Sequence, residues 1–425
     1  MALGRWLSGS LSRTAIGEIV PLPNFVHGVE GLPPDLPDSP GSHKIKRSSV
    51  VVEAIHRDYN APASPNLTDE APSGPATLRG RDCLVTQLRF AMFGAGFWSR
   101  FQLAAWRELE GAECVALCDP ARPKAQARAR EFEVPGVYDD PRELFRREKL
   151  DFVDVVTTPE THSELVHLAA AHKVPVICQK PMALSLQEAE RMVEACREAR
   201  VPFFVHENWR WQTPVRQVKQ ILSEGRIGHL FRARIDMLSG FPVFNNQPFL
   251  KDLEEFILTD LGTHILDTAR FLFGEAESVY CQIHRIHSDI KGEDVATVMM
   301  KTGDGATVLC ELAYAGNWLE HDRFPETYVF VEGDQGSLEL GPDFWIRVTT
   351  RDGTHAKRYP PPSYAWVDPA YAVVQTSIVP CHENILQALR GQGRAETTGE
   401  DNLKTLRLVF ASYHSARSGQ AVRLK

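Results

Sequence analysis

Leu88-Arg89-Phe90-Ala91-Met92-Phe93-Gly94-Ala95-Gly96-Phe97-Trp98-Ser99 is the stretch that decides the fold. Its first six residues are apolar nearly throughout, as a short strand covered on both faces of a parallel sheet must be. Two glycines follow, and a helical pattern then runs over 100–108. Gly94 permits a tight turn and Gly96 lets the backbone come close to a guest. The helix N-terminus offers unpaired N–H groups and the positive end of its dipole to phosphate. Strand, glycine loop and helix in this order form a pyrophosphate cradle, with Ala95, Phe97 and Trp98 filling the loop. Ser99 stands where a third glycine is usual, a small residue that still lets helix pack on strand.

Downstream, Cys114-Val115-Ala116-Leu117-Cys118 reads as a second strand and ends at Asp119. That acid lies about 25 residues beyond Gly94, the spacing at which a carboxylate binds the adenosine ribose. It would also repel a 2′-phosphate, and no Arg sits immediately beside it, so NAD is favoured over NADP. The same side chain is equally placed to cap a helix over 121–131. Alternation continues with a strand at Phe152-Val153-Asp154-Val155-Val156, a helix over 162–172, a strand at Pro175-Val176-Ile177-Cys178, an amphipathic helix over 186–200 and a strand at Pro202-Phe203-Phe204-Val205. Strand and helix in strict turn predict a doubly wound parallel sheet, whose ligands sit beyond the carboxyl ends of the strands. The residues at those ends are Thr157, Thr158 and Pro159, then Gln179, Lys180 and Pro181, then His206, Glu207, Asn208 and Arg210.

Lys180 follows a buried strand and precedes Pro181, surroundings unlike a solvated turn. A partly desolvated amine over the crevice can serve as an acid or base. Further on, Asp260-Leu261-Gly262-Thr263-His264 puts an acid and a histidine four apart, on one face of a helix. Such an acid can orient the ring or bind the same substrate hydroxyls. A helix cap and a core histidine would give the same spacing.

Together these residues resemble the glucose–fructose oxidoreductase / inositol dehydrogenase / rhizopine-catabolism (Gfo/Idh/MocA) family of NAD(P)-dependent enzymes. The resemblance runs from about Leu88 to the C-terminus and rests on Gly94-Ala95-Gly96, Thr158-Pro159-Glu160-Thr161-His162, Lys180-Pro181 and Asp260-x-Gly262-x-His264. It implies an α/β Rossmann domain followed by an α+β domain with a large, mostly antiparallel open sheet. It implies catalytic roles for Lys180, Asp260 and His264, and cofactor contacts at Thr158, Pro159, His162, Gln179, Lys180 and Glu207. One departure is Gln179, where the family usually has Glu; a negative charge that would favour the ammonium form of Lys180 is thereby removed. The run His206-Glu207-Asn208-Trp209-Arg210-Trp211-Gln212 is more elaborate than usual. With Gln179 it is similar to the branch that acts on branched pentoses such as D-apiose. Asn208, Arg210, Trp211, Asp260 and His264 are the candidates for holding the sugar. Hydride transfer between NAD and a sugar or polyol hydroxyl is the implied activity. Two alternatives keep the fold: an NAD-binding sensor without turnover, and a redox-neutral lyase or epimerase that uses NAD transiently.

From Pro214 the pattern changes to a helix over 215–224 and strands over 230–237, 278–286, 295–302, 306–313, 327–332 and 336–340, separated by turns such as Gly303-Asp304-Gly305. The expected boundaries are therefore 85–210 for the first domain and 211–425 for the second. An open antiparallel sheet must be covered, which predicts a homodimer or homotetramer. His284, His287 and Asp289 read as polar strand-face positions, and no metal is expected. About a third of the 28 prolines fall before residue 85. Residues 1–84 are thus expected to be a disordered extension, or to reflect a start codon placed too early. Across all 425 residues a net charge of −8 argues against a nucleic-acid partner, and no long apolar run argues for a membrane span. The eight cysteines form no CxxC pair, which points to a reducing, cytoplasmic setting.

Overall fold

The computed structural model describes residues 87–316 and 324–424; the extension expected over 1–84 lies outside them. The first sheet is six-stranded, in the order β3-β2-β1-β4-β5-β6. Its strands are β1 (Leu88–Phe93), β2 (Ala112–Cys118), β3 (Gly136–Tyr138), β4 (Phe152–Val155), β5 (Val176–Gln179) and β6 (Phe203–His206). All are parallel, and Phe90 of β1 lies level with Cys114 on one side and Phe152 on the other. Helices α1 (Ser99–Arg107), α2 (Arg122–Glu131), α3 (Pro141–Arg147), α4 (His162–Ala171) and α5 (Leu186–Ala199) connect them. The strand order reverses between β1 and β4, which opens a crevice at their carboxyl ends.

Two of these elements were not foreseen. At three residues β3 is too short to show periodicity, and α3 is announced only by its cap, Asp140 accepting from the amide of Arg142 at 2.8 Å. Gly94 at the end of β1 has φ +96°, and a Cβ there would sit 2.5 Å from the Val156 carbonyl oxygen. The fold itself dictates that glycine. Ser99 is fully buried, donates to the Gly96 carbonyl at 2.7 Å and accepts from Arg128 Nε at 3.1 Å, so its hydroxyl ties the loop to α2.

Beyond α6 (Thr213–Ser223) comes a second, nine-stranded sheet in the order β14-β13-β12-β11-β7-β10-β9-β8-β15. It contains β7 (Leu230–Ser239), β8 (Ala276–His284), β9 (Val295–Thr302), β10 (Thr307–Tyr314), β11 (Tyr328–Gly333) and β12 (Gly336–Gly341). β13 (Trp345–Thr350), β14 (Gly353–Arg358) and β15 (Val422–Arg423) complete it. Only β7 and β10 pair in parallel. The last three strands were not foreseen; β14 is exposed at every residue and carries no apolar alternation. β8 stops at His284, so His287 and Asp289 lie in the following loop rather than on a strand face. One sheet face is buried by residues such as Ile235, Met237, Val298, Cys310 and Val331, while Met299, Phe330 and Trp345 stand exposed on the other. Between β7 and β8 lie α7 (Val243–Asn246), α8 (Ile257–Asp260) and α9 (Gly262–Phe273).

The chain does not divide as simply as a boundary at 210/211 suggests. After α10 (Ala372–Gln375), α11 (Ile378–Leu389) sends Cys381, Ile385 and Leu386 into the same core as Phe90 and Phe152. The last helix, α12 (Gly399–Ser418), buries Leu403 and Leu406 in the first domain's core and Leu408, Val409 and Tyr413 in the second's. Between the two, Arg210 grips Asp267 of α9 through two bonds of 2.7 and 2.5 Å and Asp401 of α12 at 2.9 Å.

Two stability outcomes follow from this packing. Gly94→Ala should lower stability by at least about 1–3 kcal/mol, because the strained φ and the backbone collision coincide. Gly96→Ala should leave the melting temperature unchanged, since a Cβ there meets nothing within 4 Å. Arg210→Met should cost about 3–5 kcal/mol in urea unfolding by stranding the Asp267 carboxylate in the interior; an unchanged midpoint would remove the clamp from the account of stability.

Candidate active site

Lys180 emerges from the carboxyl end of β5, and the Lys180–Pro181 peptide is cis. Its Nζ donates to Asp260 Oδ1 at 2.9 Å and to the Asp260 carbonyl at 3.0 Å, and both side chains are mostly shielded from solvent. Asp260 ends α8, and α9 begins two residues later at Gly262. The acid and His264 therefore sit on two short helices meeting at Leu261 rather than on one. Asp260 is engaged with the lysine, and the ring of His264 finds a different carboxyl. His264 Nδ1 lies 2.6 Å from Glu207 Oε1, and the ring stacks on Trp209 at 4.3 Å. Burial, helped by the nearby Lys180 ammonium, holds the imidazole well below its usual basicity, so it is neutral.

Glu207 follows β6 and is fully buried. Its Oε1 also accepts from the Trp209 amide at 3.1 Å, while Oε2 has no partner. Burial pushes this carboxyl up to about 7. The protein partners of the Glu207 carboxyl are therefore His264 and the turn that follows β6.

Three candidates for holding the sugar have protein partners of their own. Asn208 is buried, its amide donating to Ser377 Oγ at 2.7 Å and the Val374 carbonyl at 3.2 Å. Arg210 is buried in the clamp already described. Trp211 packs in the core with Phe90 and Phe152, with the Arg216 guanidinium 4.3 Å from the centre of its ring. All three spend their polar groups or surface on structure. His162 is fully buried, and its two ring nitrogens face the Pro181 carbonyl at 3.1 Å and the Thr157 carbonyl at 3.2 Å. It joins the turns after β4 and β5 and so fixes the ground on which Lys180 stands.

Gln179 accepts from the backbone amide of Lys180 at 3.0 Å through Oε1, and its Nε2 lies 3.5 Å from His206 Nδ1. Burial drives His206 down to about 3, so an uncharged amide is a fitting neighbour for an uncharged ring. Two residues at the site were not singled out from the sequence. Trp209 was quoted only as part of a run, and Tyr314 falls just past the strand expected over 306–313. Burial, and then the Asp260 carboxylate, raise the Tyr314 phenol well above its usual range.

The glycine loop fits a dinucleotide. Gly96 is exposed with open space at its Cβ position, so its lack of a side chain serves a guest rather than the fold. The first turn of α1 carries no side-chain cap, which leaves its amides available to phosphate. Phe97 is exposed beside the loop, and Trp98 is partly buried. Asp119 at the end of β2 accepts from the amides of Ala95 and Ala121, both at 2.8 Å. It thus caps the next turn, and each oxygen keeps a further lone pair for a ribose hydroxyl. Thr158 is exposed and Pro159 partly so, both at the carboxyl end of β4. Among the described residues no three His, Cys, Asp or Glu side chains gather as a metal site, and no helix is long and apolar enough to cross a membrane.

Comparison with known proteins agrees with this geometry. Residues 88–207 match the family described as "Oxidoreductase family, NAD-binding Rossmann fold", and 215–339 match the "GFO/IDH/MocA C-terminal domain". The chain is 43% identical to a D-apiose dehydrogenase of Paraburkholderia graminis, over 80% of this chain and 91% of that protein. It is 40% identical to a D-apiose dehydrogenase of Rhizobium rhizogenes, over 80% of this chain and 98% of the other. A solved oxidoreductase from Agrobacterium radiobacter, in complex with NAD+, L-tartaric acid and magnesium, superposes with a TM-score of 0.78 at 40% identity, covering 80% of this chain and 98% of that one. The chain belongs to the Gfo/Idh/MocA family, oxidoreductases built on an NAD-binding Rossmann fold.

Proposed function

We propose that the protein oxidises a hydroxyl of D-apiose or a closely related branched pentose. The observation that carries this reading is the ion pair of Lys180 with Asp260 beyond the carboxyl end of β5, with His264 one turn along the chain from that acid. Identities of 40% and 43% to D-apiose dehydrogenases over four-fifths of the chain support the substrate. Bound NAD supplies the hydride acceptor. Gly94, Ala95, Gly96, Phe97 and Trp98 carry its pyrophosphate, Asp119 its adenosine ribose, and Thr158 and Pro159 line the path between them. Lys180 and His264 divide the proton chemistry: one removes the hydroxyl proton and the other stabilises the alkoxide as it develops. Asp260 holds the lysine and offers its remaining lone pairs to sugar hydroxyls.

The open sheet face pairs with a second copy of the chain, giving a homodimer or homotetramer. The exposure of Met299, Phe330 and Trp345 on it favours this, since large apolar side chains on one surface are costly to leave in water. The protein works in a reducing cytoplasm, a reading supported by the seven cysteines among the described residues, none of which is in a disulfide.

A spectrophotometric screen of D-apiose, xylose, inositols and glucose should show net NADH formation fastest with D-apiose. No NADH from any of these sugars would defeat the reading. Lys180→Met should reduce turnover by at least about 10³-fold while NADH still binds, measured by fluorescence titration. Normal turnover in that variant would take the lysine out of the reaction. In size-exclusion chromatography with light scattering, Phe330→Glu should shift the protein towards monomer.

A further inference from the structure

Lys180 and His264 each hold a carboxyl partner, and the partners differ. Lys180 is engaged by Asp260 and His264 by Glu207, from a turn 57 residues earlier in the chain. Among the described residues the ring's other nitrogen, Nε2, makes no hydrogen bond, and His264 keeps 6% of its surface open. An ammonium has three donors and no acceptor. Two of the three at Lys180 already point to Asp260, which leaves one for an oxygen on the substrate.

We propose that Glu207 is a positioning residue: its carboxylate keeps the ring proton of His264 on Nδ1 and so leaves Nε2 as the acceptor of the substrate hydroxyl proton. The proposal rests on the function given above only in naming that hydroxyl as a sugar's. The step balances. The O–H bond breaks as the Nε2–H bond forms and its electron pair closes the carbonyl, while the carbinol hydrogen leaves with its bonding pair as a hydride, for which bound NAD would be the acceptor. The imidazole becomes imidazolium, and its Nδ1–H faces a buried negative charge that offsets the new positive one. Lys180 donates its remaining N–H to the oxygen throughout. A role confined to capping the turn at Trp209 would not need Glu207 to lie against an imidazole.

The charged and titratable groups around Glu207 are Lys180 from the end of β5, His206 beside it, Arg210 from the same turn, His264 and Asp267 from α9, and Cys381 from α11. With its carboxyl raised to about 7, Glu207 loses its charge as pH falls through neutrality. Turnover in the unaltered enzyme should therefore show an acid limb near pH 7.

Glu207→Gln is the test. It keeps the size of the side chain and an acceptor for the Trp209 amide but removes the charge. Turnover number should fall about 10²-fold or more, with KM and NADH affinity within about two-fold and the acid limb near pH 7 abolished. Unchanged turnover, or a loss of NADH affinity alone, would overturn the proposal. A substrate-free reading keeps it separate from the fate of the sugar assignment. In protein labelled with 15N-histidine, with the His264 signal identified by its absence in His264→Asn, the ring should carry its proton on Nδ1. A proton on Nε2 in the unaltered protein would overturn the proposal whether or not any sugar is oxidised, and whether or not Glu207→Gln folds.

Discussion

The contact between Lys180 and Asp260 spans 80 positions in sequence and 2.9 Å in space, and the site is organised around it. One partner ends a strand of the parallel sheet; the other ends a short helix of the second domain. The lysine comes from the sheet and the acid it holds from the helices, so this ion pair needs both halves. The remainder of the fold can be seen as the means of holding these two ends at one distance. His162 bridges the turns on the strand side, and Arg210 pins α9 and α12 on the other. Both are buried polar residues that hydrogen bonds tie to more than one element of the chain.

Separating the partners of lysine and histidine has a chemical consequence. If one carboxylate served both groups, protonating it would disturb both. With Asp260 and Glu207 divided between them, the ion pair and the neutral ring can keep different protonation states a short distance apart. Their surroundings are tuned accordingly: the ion pair keeps some access to water, while Glu207 and the ring of His264 are all but dry. Burial disfavours charge, so the drier couple is the neutral-leaning one.

Much of this was legible from residues alone, and the division between what was and was not is physical. The glycine loop, the acid after β2, the lysine after β5 and the histidine of α9 follow from short-range rules about strands, turns and dipoles. The roles within His206-Glu207-Asn208-Trp209-Arg210-Trp211-Gln212 do not. Every member is polar or aromatic, and all sit at the carboxyl end of a strand where ligands bind. Arg210 is removed from that surface by acids 57 and 191 residues away, a pairing no local pattern announces. The contact of Glu207 with His264, 57 positions away, is hidden from local patterns for the same reason. β14 was missed because an edge strand exposed on every residue has no alternation to read.

The return of the C-terminal helices to the first domain bears on how the chain is made. Phe90 leaves the ribosome early, yet its core is completed by Cys381, Ile385 and Leu386 of α11. At ordinary rates of synthesis the first sheet must wait on the order of tens of seconds for the helix that covers it. During that interval an apolar face of the nascent sheet stands open to water and to other chains. An open apolar face of that kind raises the risk of association with other chains above that of a protein whose domains are contiguous in sequence.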